Sequence, residues 1–216
     1  MFRLFAAFQL LAIAMLASGC SSMQYAAMES VGIPKRDILV DRVEDARDSQ
    51  NEAKEQFVSA YDQFAELVNY DGGDLEKNYK TLNREYERCE KSAREIDDRI
   101  ESVESVAEAL FKEWSKELGD YTDPNLRRSS QRKLDTTRQQ YDTLIASMRN
   151  ARSKIDPVLD VLRDQTLYLK HNLNARALSS LGGEVVSMER QVDELVREME
   201  LAIAEANRFI AQMESA

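Results

Sequence analysis

Residues 75–114, LEKNYKTLNREYERCEKSAREIDDRIESVESVAEALFKEW, carry the pattern that decides the fold. Leu75, Tyr79, Leu82, Tyr86, Cys89, Ala93, Ile96, Ile100, Val103, Ala107, Leu110 and Trp114 recur at alternating steps of four and three without a miss. A helix turns once per 3.6 residues, so a sustained period of 3.5 puts one apolar seam on one face and supercoils packed helices left-handedly. Glu, Lys, Arg and Asp fill most of the other positions, as a solvated face requires.

The same period extends in both directions. Upstream, the seam is Leu39, Val43, Ala46, Ala53, Phe57, Ala60, Phe64 and Leu67, with Gln50 as its one polar member. Pro34 sits where a helix can begin, because its missing N–H is not needed in the first turn. Asp71-Gly72-Gly73 breaks the pattern, and Asp74 is suited to cap the helix that follows. Downstream, Gly119–Asp123 ends the second helix and Pro124 opens a third, with seam Leu134, Thr137, Tyr141, Leu144, Met148, Ala151, Ile155, Val158, Leu162, Gln165 and Leu169. Pro157 lies inside that stretch and should kink the helix, with a split as the alternative. A fourth seam runs Leu178, Leu181, Val185, Met188, Val192, Leu195, Met199, Ala202, Ala206, Phe209 and Met213. The predicted fold is all-α: a long antiparallel bundle of four helices over residues 34–216, with a spectrin-like or dimeric coiled coil as the alternative. Short connections place the start of helix one, the Gly119–Pro124 turn and the C-terminus at one end. The Gly72-Gly73 turn and the His171–Gly183 region fall at the other.

Ahead of the bundle, Met1-Phe2-Arg3 and an uncharged apolar stretch from Leu4 to Leu16 lead to Ala17-Ser18-Gly19-Cys20. This reads as a secretory signal over residues 1–19 ending in a lipobox, with Cys20 as the lipidated residue. The stretch is shorter than the ~20 apolar residues of a spanning helix. Residues 20–33 then form a lipid-anchored tether, and Ser21 favours sorting to the outer membrane, facing the periplasm. Two or three acyl chains would hold the protein there durably, since each buried methylene contributes about 0.8 kcal/mol.

Composition excludes more than it proposes. The net charge is −10, and it becomes −11 once Arg3, the signal's one charge, is removed. Such a chain has no electrostatic footprint for nucleic acid. With one histidine and two cysteines, neither a zinc site nor the Glu-x-x-His pairs of di-metal bundles can be built. No phosphate loop, nucleophile elbow or Cys–His pair is present. The expectation is no enzyme, no cofactor and no small-molecule substrate. If Cys20 is lipidated, Cys89 has no intramolecular partner. Its seam position makes it a small core residue, with a redox or intermolecular disulfide role as the alternative.

Two stretches depart from the monotony. Arg127, Arg128, Arg132 and Lys133 form the one dense basic cluster, in a first helical turn where the helix dipole prefers acids. They are candidates for phosphate or lipid-headgroup contact, against the plainer reading of a solvated turn. Between residues 163 and 183, acidic side chains vanish after Asp164 and turn residues gather. Tyr168, His171, Asn172, Asn174 and Arg176 would cluster at the far tip, either as a partner-docking site or as a helix connection that needs Asn and Gly.

Residues 28–57 (MESVGIPKRDILVDRVEDARDSQNEAKEQF) and 162–184 (LRDQTLYLKHNLNARALSSLGGE) resemble DUF2959, a family of uncharacterised proteobacterial lipoproteins. The resemblance spans roughly residues 24–213. It implies a periplasm-facing helical lipoprotein and brings no catalytic residue. The function expected from all this is a structural or adaptor rod on the outer membrane, acting through an envelope protein partner or self-association. The competing class is a carrier that opens its bundle around a lipid or other apolar ligand.

Overall fold

The computed structural model describes residues 34–69, 75–172, 174, 178 and 181–215. Cys20, the signal and tether, Asp74 and Arg176 lie outside the described residues. Helices α1 (Lys35–Val68), α2 (Leu75–Glu117), α3 (Pro124–Ser153), α4 (Ile155–His171) and α5 (Gly182–Ser215) account for nearly all of the rest, with no strand among the described residues. α3 and α4 follow one another as a single column, so the architecture is a four-column bundle. α1 packs on α2 and α5, and the α3–α4 column packs on the other sides of the same two helices. That closes a ring around one core.

The seams are the core. Every α1 seam residue is buried, Gln50 included. In α2 the seam is buried from Leu82 to Ala107 and half-buried at its ends, at Leu75, Tyr79, Leu110 and Trp114, with Tyr86 also half-buried. Phe57, Phe64 and Phe209 supply the largest fully buried side chains. Ala46, Ala53, Ala93, Ala107, Ala151, Ala202 and Ala206 fill the intervening positions and let the backbones approach. Polar contacts at the edges record the antiparallel register. Going up α1 and down α2, Lys35 pairs with Glu113 at 2.9 Å, Asp45 with Arg99 at 3.3 Å, and Gln56 donates to Glu85 at 2.7 Å. On the α5 side, Arg47 donates to Asn207 at 3.2 Å and Lys54 meets Glu200 at 3.7 Å.

The sequence favoured a kink at Pro157, and the structure corrects this to a split. α3 ends at Ser153 and α4 begins at Ile155, with Lys154 alone between them. The proline has no N–H for the Ser153 carbonyl, so the ladder of bonds is interrupted one turn earlier. Lys154 keeps helical angles (φ −83°, ψ −10°) and its N–H turns to the Ala151 carbonyl at 3.1 Å. Pro157 thereby falls in the first turn of α4, where it is harmless. Ala151, Ile155 and Val158 stay fully buried across the break, so the seam is uninterrupted. Arg152 clamps the joint: its guanidinium holds both oxygens of Asp97 on α2 at 2.7 and 2.9 Å, and Asp156 of α4 at 2.7 Å.

At the other helix start, the Asp123 carboxylate accepts the Asn125 N–H at 2.7 Å and Pro124 occupies the first position of α3, as its sequence indicates. One seam assignment shifts by a residue: Thr166 rather than Gln165 is buried on α4. Ile155, Val158, Leu162 and Leu169 keep the predicted phase, so the shift is confined to this one position.

Gln50 is 1% exposed, and neither its amide oxygen nor its nitrogen has a hydrogen-bond partner. An unsatisfied buried amide costs about 1–3 kcal/mol. Gln50→Leu, similar in volume, should therefore raise stability by about 1–3 kcal/mol, read as a higher denaturant midpoint at unchanged slope. A lower midpoint would mean that the amide is satisfied in solution.

Candidate functional site

The ends of the seams, rather than their middles, make the sites. Extending the α3 seam backwards from Leu134 by steps of four and three reaches Ser130 and Arg127, both polar. Extending the α1 seam backwards from Leu39 reaches Arg36. With no apolar side chains at those positions the core stops, and residues 124–133 of α3 run on with little burial. A cavity of about 880 Å³ opens there, between the start of α1, the end of α2, the start of α3 and the end of α5. This arrangement of ends is the one the sequence predicts.

The groove is amphipathic. Leu110, Trp114, Tyr121, Leu126 and Met213 give it apolar surface, and Lys35, Arg36, Arg132 and Lys133 give it positive charge, against Glu113 and Glu117. Leu126 is 57% exposed and Tyr121 42%, unusual for large apolar side chains in this fold. Trp114 is fixed by its indole N–H, which donates to Ser130 Oγ at 2.8 Å. Lys35 lies against the wall, its side chain 12% exposed and paired with Glu113. Of the four basic residues that the sequence singles out, Arg132 and Lys133 line the groove. Arg127 and Arg128 do not; Arg128 donates instead to Asn125 at 2.6 Å on its own helix. Charge alone marked this cluster in the sequence. The signal for the groove was the failure of the seam at Ser130 and Arg127.

Just behind the groove, Arg138 stands over the Phe111 ring, 5.4 Å from its centre, and donates to Ser115 Oγ at 2.8 Å. Phe111 meets Tyr141 edge-on at 5.5 Å. Burial pushes the Tyr141 phenol up to about 12, with Glu104 adding to the effect. It stays protonated at any physiological pH.

At the opposite end the five tip residues do not behave as one site. Tyr168 and His171 are exposed on the last turn of α4, beside the exposed Leu167. Asn172 is the helix cap: its N–H reaches the Leu169 carbonyl at 3.2 Å and its amide donates to the Tyr168 carbonyl at 2.9 Å. Asn174 is exposed, and its N–H donates to the Asn172 carbonyl at 2.9 Å. For Asn172 the structure supports the connection reading, and Arg176 lies outside the described residues.

Cys89 is fully buried, between the Gln56 amide and carbonyl at 4.0 and 3.8 Å. Burial pushes its thiol up to about 12. Among the described residues no three His, Cys, Asp or Glu side chains gather as metal ligands, and no helix is long and apolar enough to cross a membrane.

The fold and its ends define an all-helical four-column bundle with an amphipathic groove at one end. The chain belongs to the DUF2959 family, described as proteins of unknown function, whose model matches residues 24–213. A stretch of 86 residues, 38% of the chain, is 35% identical to an uncharacterised chloroplastic protein of Arabidopsis thaliana. The chain covers only 11% of that protein's length. No solved structure matches.

With its pKa near 12, Cys89 is almost wholly thiol at pH 8, with a thiolate fraction about a thousandfold below that of a free cysteine. Mass-spectrometric readout of alkylation should show Cys89 modified only after unfolding; rapid labelling of the native protein would contradict its burial. The same shifts fix a pH dependence. Cys89, Tyr86 and Tyr141 are all held near 12 by burial, so above pH ~9 the unfolded chain binds fewer protons than the folded one and stability falls. This contribution is complete below the unfolded values, about 8.5 for the thiol and 10 for the phenols. It is lost as pH rises toward 12, which an alkaline unfolding titration reads directly.

Proposed function

We propose that the protein is a non-enzymatic lipoprotein, attached through Cys20 to the outer membrane and facing the periplasm, that serves as an adaptor or spacer rod in the cell envelope. One observation carries the reading: an elongated, continuously packed bundle whose chain enters at one end. The 43 residues of α2 at 1.5 Å each give a rod about 65 Å long. The lipobox cysteine lies 14 residues before Pro34, and Pro34 lines the groove. The Tyr168–His171 end is then the one held out from the membrane. Its exposed Leu167 and Tyr168, beside the exposed His171, supply the mixed apolar and polar surface of a protein contact.

The carrier reading gains one specific support, the groove of about 880 Å³, a size that suits a drug-sized apolar group. It differs from the expectation in place. The space lies at the end of the bundle and not within it.

Photo-crosslinking in living cells from His171, with mass spectrometry of what is captured, tests the adaptor. His171 is exposed and caps nothing, which makes it a better probe than Asn172. A single reproducible envelope protein, absent with the probe at the exposed helix-face residue Glu101, is the expected result. Capture no greater than from Glu101 would remove the tip as a docking site.

A further inference from the structure

We propose that residues 24–33, QYAAMESVGI, fold back from Pro34 into the groove and fill it, as a strap that the helices alone leave out.

Position comes first. Pro34 and Lys35 are themselves part of the groove lining, so the segment is joined to the bundle at the groove itself. A covalently attached segment of this length has an effective concentration in the millimolar range, which any free competitor must exceed. Length also fits. The groove follows α3 from Leu126 to Gln140, about 21 Å of helix at 1.5 Å per residue. Ten residues reach about 33 Å extended and about 15 Å as a helix.

Chemistry fits as well. Tyr25, Met28, Val31 and Ile33 offer apolar side chains for Trp114 and Leu126. Glu29 is the segment's one charge, and the groove sets Arg132 and Lys133 on its α3 wall. A carboxylate beside a guanidinium in a partly dry groove makes a strong, directional contact. Independently, the family match begins at residue 24, eleven residues ahead of α1. A featureless linker would not be expected to extend a family's shared unit in that way.

The strap changes what the anchor can do. With residues 24–33 docked, only residues 20–23 span the gap to the lipid, about 13 Å instead of about 46 Å at 3.3 Å per residue. This consequence rests on lipidation at Cys20, whereas docking does not. A docked strap holds the bundle end against the bilayer, and release of the strap lengthens the reach of the rod.

The chain has one tryptophan, and it lines the groove, so the test has a built-in reporter. In membranes, the full chain carrying Met28→Cys and Thr136→Cys should form a disulfide between these positions, found as a linked peptide. Met28→Cys with Leu201→Cys, an exposed position on α5, should not. In the purified full chain, Tyr25→Asp with Met28→Asp should move Trp114 emission to the red and increase its quenching by acrylamide, with helix content unchanged. No 28–136 linkage above the control pair, together with an indifferent Trp114, overturns the proposal. So does absence of the linkage with a blue shift of Trp114 on adding phosphatidylglycerol vesicles, which would make lipid the occupant.

Discussion

Mutual burial of four apolar seams is the constraint on which everything else in this molecule depends. Each large side chain taken fully out of water contributes about 1.5–3 kcal/mol, and more than a dozen of them, from Leu39 to Phe209, are fully buried. The ion pairs along the edges are mostly exposed and contribute at most about 1 kcal/mol each. They record the register more than they hold it. Gln50 is the exception inside the seam. A polar residue at one core position of a coiled coil is a known means of fixing register at a cost in stability. Its amide, without a hydrogen-bond partner and set between the buried Ala46 and Ala53 on its seam, fits that role.

Most of the architecture was legible because a seven-residue period leaves little choice. Leu39 to Leu67, Leu82 to Ala107 with Tyr86 half-buried, and Met188 to Met213 are buried in the phase that their spacing dictates. What escaped was local. The effect of Pro157 depends on whether the chain absorbs the lost bond by bending or by stopping, and the Lys154 turn resolves that only in three dimensions. Burial of Glu85, at 7% exposure, depends on Gln56 reaching it from another helix. Spacing along one strand of sequence cannot report a partner 29 residues away.

The sites were legible in a different and weaker way. The basic cluster stood out by charge, and only half of it faces the groove. What opens the groove is a pair of polar residues, Ser130 and Arg127, standing where the α3 seam would have run on. A seam that ends before its helix ends is visible in sequence, provided one looks for the missing apolar residue and not for the unusual charged one. At the tip, Asn172 drew attention as a turn residue and proves to be one, while Tyr168 and His171 remain on the outer face.

The same energetics decide where any apolar ligand can sit. To admit a ligand between the helices, the seams would have to part. Exposing even four of these large buried side chains costs about 6–12 kcal/mol, which is comparable to the whole folding stability of an ordinary domain. A ligand would have to return nearly all of that on binding. At the groove the balance is reversed, because Leu126, Tyr121 and Trp114 are already partly exposed and nothing need open. Covering them gains free energy whatever covers them. A bundle packed this tightly along its length therefore does its binding at its ends.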